Sequence, residues 1–322
     1  MSERWTYMNG NWVPETAAKI HIYDSQFMYG DACFEMHRTF RHKHFLLRDH
    51  IDRLWTSMKA LQIPITKTKA EVFKLCDEAI ERNNFPADEE YRFMINVSRG
   101  PLEIYREVFE LAEGESWGEP TWIVNVWPLS KTTKKLAHFY DDPADARVTV
   151  QRQVPSQFID AKVKNRSRQH YKLADLEMKK YNNKALPLLL DNDGFICEST
   201  GSNFMIVKNG TLIVPELRNL LRGCSMMYII DKIAKSRMIP VVFKNFEPYD
   251  VFEADEAMFT GTFYNLIPCN KINGQQFGTS SLDENNMGPV TRCIANAWNK
   301  DLNIDNFNFI SQIRQWAADD AG

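Results

Sequence analysis

The chain contains no Cys-x-x-Cys pair: its six cysteines, Cys33, Cys76, Cys197, Cys224, Cys269 and Cys293, are widely scattered. That spacing excludes a zinc ribbon and argues against a disulfide framework. It reads as reduced thiols in a cytoplasmic compartment. No apolar run approaches the ~18 residues of a membrane span. The first residues lack the charged and apolar regions of a secretion signal. No basic stripe accompanies an aromatic platform, and the formal net charge is -3, so no nucleic-acid partner is expected. Neither G-x-G-x-x-G nor G-x-x-x-x-G-K-[ST] occurs, which removes the usual dinucleotide and P-loop readings. Repeats and low-complexity tracts are absent as well. His42 and His44 lie close together without a third ligand in the sequence, and read as solvated turn residues with no metal. What remains is an ordinary globular composition, 44% hydrophobic and 25% charged over 322 residues. That length suits about two domains.

The pattern along the chain mixes strands and helices. Asn9-Gly10 between apolar residues marks a hairpin over 5–12. Ile51, Leu54, Trp55, Met58 and Leu61 recur at helical spacing, so 49–61 reads as a helix, and 69–82 as a second. Strands are read at 45–47, 91–98, 121–126, 148–150, 188–190, 195–197, 204–207, 211–214 and 257–260. Further helices are read at 168–181, 224–236, 291–300 and 309–318. Without a regular βαβ alternation, the fold class is α+β in two domains. The polar stretch 128–135 is read as an interdomain linker. It separates a small N-terminal α/β domain, 1–127, from a large C-terminal domain, 136–322.

Composition and periodicity yield no reaction, but local motifs do. Tyr29-Gly30-Asp31-Ala32-Cys33-Phe34-Glu35 is followed by Asp49-His50-Ile51-Asp52-Arg53-Leu54. Then come Val163-Lys164-Asn165-Arg166, the run Glu198-Ser199-Thr200-Gly201-Ser202-Asn203, Leu221-Arg222-Gly223-Cys224-Ser225, and Phe259-Thr260-Gly261-Thr262. Each motif alone is weak. The six in this order resemble the class IV (fold type IV) aminotransferases that use pyridoxal 5'-phosphate (PLP), a superfamily of branched-chain aminotransferases, D-amino acid aminotransferases and 4-amino-4-deoxychorismate lyases. The resemblance runs from about Tyr29 to Thr291, most of the chain.

The resemblance implies a role for each matching position. Lys164 would carry the cofactor in Schiff-base linkage and shuttle the substrate Cα proton, as a neutral amine can. Out of context it is a solvated lysine. Glu198 would face the pyridine nitrogen; alone it is a charge at a strand end. Arg53 would grip the phosphate with its guanidinium fork, although on its own it reads as a helix-surface arginine paired with Asp49 or Asp52. Gly223, Cys224, Ser225 and Thr262 would complete the phosphate cup, a function compatible with plain helix capping. Arg152 would approach the cofactor's phenolic oxygen. Tyr171 would serve the same atom, though it stands two residues later than the tyrosine of the branched-chain enzymes; its plainer reading is a core aromatic.

The sequence also departs from the family. At the phosphate turn the family's Leu-Pro-Gly-Ile-Thr-Arg becomes Leu221-Arg222-Gly223-Cys224-Ser225-Met226, and Thr262 is followed by Phe263-Tyr264-Asn265. That second change implies a more aromatic substrate pocket. Tyr29, Phe34, Arg38, Arg92 and Phe263 are the candidate substrate residues, and Arg106 stands in a long loop over 100–119. The implied activity is transfer of an amino group from an apolar or branched-chain L-amino acid to a 2-oxo acid. A D-amino acid or (R)-amine aminotransferase and a 4-amino-4-deoxychorismate lyase-like enzyme remain open. Family members are homodimers, so a homodimer is implied.

Overall fold

The computed structural model describes residues 3–111, 116–181, 184–278 and 281–319. Four residues of the 100–119 loop therefore lie outside the described residues. The chain divides into two compact units. One is Met1–Lys131 with Val163–Arg168; the other is Thr132–Lys162 with Gln169–Gly322.

The first unit begins with a hairpin, β1 (Trp5–Met8) and β2 (Asn11–Pro14). Asn9 and Gly10 both have positive φ, 46° and 97°, as a tight two-residue turn requires. A short helix α1 (Ser25–Tyr29) follows, then β3 (Ala32–Glu35), β4 (Arg38–Phe40) and β5 (Lys43–Phe45). Helices α2 (Leu47–Ala60) and α3 (Lys69–Asn83) precede β6 (Tyr91–Ser98) and β7 (Thr121–Pro128). The sheet runs β2-β1-β7-β6-β4-β5, and β3 shares the same edge of β6 with β4. Tyr91, Phe93, Ile95 and Val97 alternate onto one face of β6 and are buried with Ile51, Leu54 and Met58 of α2 and Val72, Cys76 and Ala79 of α3. Each fully buried aliphatic chain there contributes about 1.5–3 kcal/mol. A capping box between Thr68 and Glu71 starts α3. The strand read at 45–47 lies earlier, because Leu46 turns the chain at φ 52° and Leu47 already opens α2.

The stretch read as a linker is not extended: α4 (Ser130–Thr133) fills it and a 3-10 turn over Lys134–Tyr140 continues it. In the second unit β8 (Ala144–Arg152) crosses through α5 (Gln169–Met178) to β9 (Ala185–Leu190), the two strands running parallel. Then come β10 (Ile196–Glu198), β11 (Asn203–Lys208), β12 (Thr211–Val214), α6 (Cys224–Tyr228), β13 (Val241–Phe243) and α7 (Pro248–Phe252). The unit ends with β14 (Glu256–Gly261), β15 (Asn265–Ile272), β16 (Gln275–Gln276), α8 (Pro289–Asp301) and α9 (Phe309–Ala318). The path β10-β9-β8-β15-β14-β11 closes on itself, because β10 also pairs with β11. The result is a six-stranded ring with Phe204, Ile206, Phe259, Ile267 and Leu188 in its core. The helix read at 224–236 is continuous but changes to π geometry over Ile229–Ala234. Among the described residues, no helix is long and apolar enough to cross a membrane.

Candidate active site

The first unit gathers a cationic group. Val163–Arg168 returns to this unit and lies beside β3 as an added extended segment. Phe34 N–H donates to the Lys164 carbonyl (2.9 Å), Arg166 N–H donates to that of Ala32 (2.9 Å), and Asn165 bridges Cys33. Alternation then places Lys164, Arg166 and Arg168 on one face. All three surround the ring of Phe34, at 4.9, 3.8 and 5.5 Å from its centroid. Arg166 donates to Asn96 and to Met94 Sδ. Burial, with help from Arg168, lowers its guanidinium to about 10, so it stays charged at neutral pH.

The backbone N–H of Lys164 meets Ser57 Oγ at 3.4 Å. Ser57 stands one helical turn after Arg53, so α2 brings Arg53 and Lys164, 111 positions apart in sequence, to one neighbourhood. Arg53 reaches from α2 to β3. It forks onto the fully buried Glu35, with Nε to Oε1 at 2.6 Å and Nη2 to Oε2 at 2.8 Å, and His50 Nδ1 adds a third contact at 2.8 Å. Burial alone would raise the Glu35 carboxyl, but Arg53 and His50 hold it down at about 2. Sequence reading missed Glu35, Ser57 and His50 as parts of this group.

The second unit holds a carboxylate. Glu198 and Asn203 flank a tight turn as a cross-strand pair of β10 and β11. Glu198 is buried and accepts from three side chains: Tyr171 Oη (2.7 Å) and Gln153 Nε2 (3.3 Å) on Oε1, and Asn203 Nδ2 (3.3 Å) on Oε2. Asn203 Nδ2 also donates to the Leu221 carbonyl at 2.8 Å, while its Oδ1 lies where a Cβ on Gly223 would fall, at 2.1 Å. Gly223 is the N-cap of α6 and brings no side-chain cap of its own, and Cys224 and Ser225 are buried in the first turn. Thr262 and Phe263 form the tip of the β14–β15 hairpin beside Tyr264, whose hydroxyl is pushed up by burial.

Several expected roles change. Arg152 is exposed and turns back onto the carbonyls of Thr149 and Val150, and its neighbour Gln153 is the one that reaches Glu198. The pairing of β8 with β9 is irregular between Val148 and Arg152, just before this exchange. Tyr171 donates to Glu198, so its hydroxyl proton is not the one expected at a phenolic oxygen. Arg38 has no exposed surface; its guanidinium lies over Phe40 (3.8 Å) and Nε donates to the Thr39 carbonyl, a placement that does not suit a substrate residue. Arg92, directly opposite Arg38, lies over Trp127. Tyr29 is 70% exposed, whereas Phe34 is buried. His44 is not solvated either: its Nδ1 meets His37 Nε2 at 3.1 Å and its Nε2 lies 3.3 Å from Asp77. Among the described residues no group of three or more His, Cys, Asp or Glu could hold a metal ion.

A family model described as Amino-transferase class IV matches residues 32–272. The chain is 30% identical over 279 residues to a putative branched-chain-amino-acid aminotransferase of Methanocaldococcus jannaschii, covering 86% of this chain and 91% of that protein. It is 27% identical over 286 residues to an aminodeoxychorismate lyase of Bacillus subtilis, covering 85% and 89%. Among solved structures, the branched-chain amino acid aminotransferase of Escherichia coli superposes with a TM-score of 0.80 at 24% identity, over 92% of this chain and 94% of that one. The enzyme of the same name from Thermobaculum terrenum, solved in its PLP-form, gives 0.75 at 19% identity over 98% and 97%. At these identities the structural likeness establishes the fold.

Proposed function

Because the chain belongs to the class IV aminotransferase family, we propose that it moves an amino group from an apolar or branched-chain L-amino acid to a 2-oxo acid, with pyridoxal phosphate as cofactor. The observation that carries the reading is the buried carboxylate of Glu198 within its three side-chain donors. A carboxylate kept at that depth suits a ring nitrogen that must hold a proton. The rest of the donor set fits the cofactor too: an amine at Lys164, a guanidinium at Arg53, and a helix start at Gly223 where no side chain could stand. The bound cofactor supplies an electron sink for the pair left at the substrate Cα.

In this reading Lys164 Nζ is the nucleophile and then the base that holds the Cα proton. Arg166 and Arg168 stand over the same Phe34 ring as Lys164. On the resemblance, Arg53, oriented by Glu35, would hold the phosphate, and Gly223, Cys224, Ser225 and Thr262 are the second unit's candidates for the same role. Phe34 of the first unit and Phe263 of the second are the apolar candidates for the substrate side.

The test is the visible spectrum of the cofactor-loaded protein. L-Leucine is expected to bleach the cofactor band, and a 2-oxo acid to restore it. A response to D-alanine alone would assign the D-amino acid or (R)-amine reading. A protein that turns over 4-amino-4-deoxychorismate with no need of a 2-oxo acid would be a lyase, the second reading, which the Bacillus relative's 27% identity favours. Absence of any cofactor band after loading would remove Lys164 from its role.

The same reading makes the protein a cytoplasmic homodimer. The dimer is supported by apolar surface: Phe27 is 73% exposed, Ile104 80% and Val108 65%. The Asp24–Pro101 bridge and the rings of Tyr105 and Phe109 against Tyr23, each at 4.4 Å, tie these two segments together. Sedimentation of a fully active monomer would overturn it.

A further inference from the structure

We propose that Tyr171 is a positioning residue for the ring-nitrogen end of the cofactor, acting through Glu198. The inference rests on the reading that Glu198 faces that nitrogen. Tyr171 lies in the first turn of α5, and its ring is buried against Ala174 and Leu189. That packing fixes where the hydroxyl points, and it points at Glu198 Oε1 from 2.7 Å. Gln153 reaches the same oxygen from the end of β8 and Asn203 reaches Oε2 from β11, both at the longer distance of 3.3 Å. The tyrosine bond is the shortest of these three, so it holds the carboxylate most firmly.

A carboxylate offers about four acceptor positions on two oxygens. Here three side chains from three different parts of the chain hold those oxygens, and together they fix the plane and direction of the group. Hydrogen bonds to the ionised form also favour it over the protonated acid. A buried Glu198 without them would tend to take up a proton, and an acid is a poor acceptor for a pyridinium N–H. Tyr171 therefore does two things at Glu198: it fixes the orientation of the carboxylate, and it keeps that group an acceptor. No proton leaves Tyr171 in this role. Asn203 extends the arrangement, because the same amide that touches Glu198 also holds the Leu221 carbonyl in the turn before Gly223. The two ends of the cofactor site in this unit share one side chain.

The test compares two ligands. The full-length protein, stripped of cofactor, is titrated with pyridoxal phosphate and with the analogue whose ring nitrogen is replaced by C–H, and tryptophan fluorescence reads both dissociation constants. Tyr171→Phe is expected to weaken pyridoxal phosphate by about tenfold, the worth of one charge-assisted hydrogen bond. It is expected to leave the analogue unchanged. Gln153→Met should show the same selectivity with a smaller loss, and guards against a tyrosine variant that folds poorly. Glu198→Gln is the control. If it separates the two ligands while Tyr171→Phe weakens both equally or neither, the positioning role of Tyr171 is overturned and Glu198 keeps its place. If Glu198→Gln itself fails to separate them, Glu198 does not face the nitrogen, and both statements fall together.

Discussion

Glu35 shows how much one buried charge governs at the residue scale. It is fully buried, yet Arg53 and His50 hold its carboxyl at about 2. Removing one partner of a buried ion pair costs about 3–5 kcal/mol. Glu35→Gln is therefore expected to lower the unfolding free energy by about 3 kcal/mol, measured by urea titration, and also to weaken cofactor binding by releasing the Arg53 fork. In the native protein the carboxyl is depressed in the folded state. Its contribution is thus complete above about 4.5 and disappears as pH falls toward 2. His37 acts nearer neutrality. Burial, then the charges of His44 and His50, push its imidazole well below 6.5. The unfolded chain takes up a proton there that the folded chain refuses, so stability falls as pH drops below about 6.5. His37 stacks on Phe93 at 4.2 Å, so a phenyl ring can take its place. His37→Phe should flatten that part of the stability curve; an unchanged slope would locate the proton elsewhere.

At the scale of elements, the turn from Leu221 into α6 depends on a missing side chain. A Cβ at Gly223 would lie 2.1 Å from Asn203 Oδ1. Gly223→Ala must displace Asn203, breaking its bonds to the Leu221 carbonyl and to Glu198. Cofactor affinity should fall by about tenfold or more, with a smaller change in melting temperature; equal affinity would mean the turn yields. Elements were legible where periodicity was local and clean. Helices α2 and α3 and strand β6 announce themselves through residues three, four or two apart. Strand β15 escaped because Pro268, Asn270 and Lys271 interrupt its apolar run, although five of its eight residues pair with β14. The site was legible as motifs but not as contacts. Lys164, Glu198, Arg53 and Gly223 carry recognisable neighbours in sequence. Gln153 does not, because nothing beside it in sequence marks it, and not Arg152, as the residue that reaches Glu198, and Glu35 reads as a strand residue until Arg53 is seen against it.

At the scale of the whole molecule, the six thiols are an internal gauge of folding. Five cysteines are buried and Cys293 is half-buried. Burial pushes Cys33 and Cys269 up to about 12, with Glu35 adding to the effect on Cys33. Thiolate is the reactive form. In native protein at pH 8, a disulfide reagent is therefore expected to titrate Cys293 alone quickly, and all six after denaturation. Rapid loss of Cys197 and Cys269 from native protein would mean that the barrel ring opens readily.

The path of the chain has one more consequence. The first unit is left at Lys131, and the chain comes back at Val163 to lay six residues along β3 before departing again. A ribosome that has released residue 131 has thus not yet finished that unit. The edge of β3 waits unpaired until residue 168 has been made, and the closing contact spans more than a hundred residues of chain. Loop closure over that distance is slow. During synthesis the nascent protein must carry an open strand edge, a point at which another chain could pair in its place. Lys164 arrives on the very segment that shuts it.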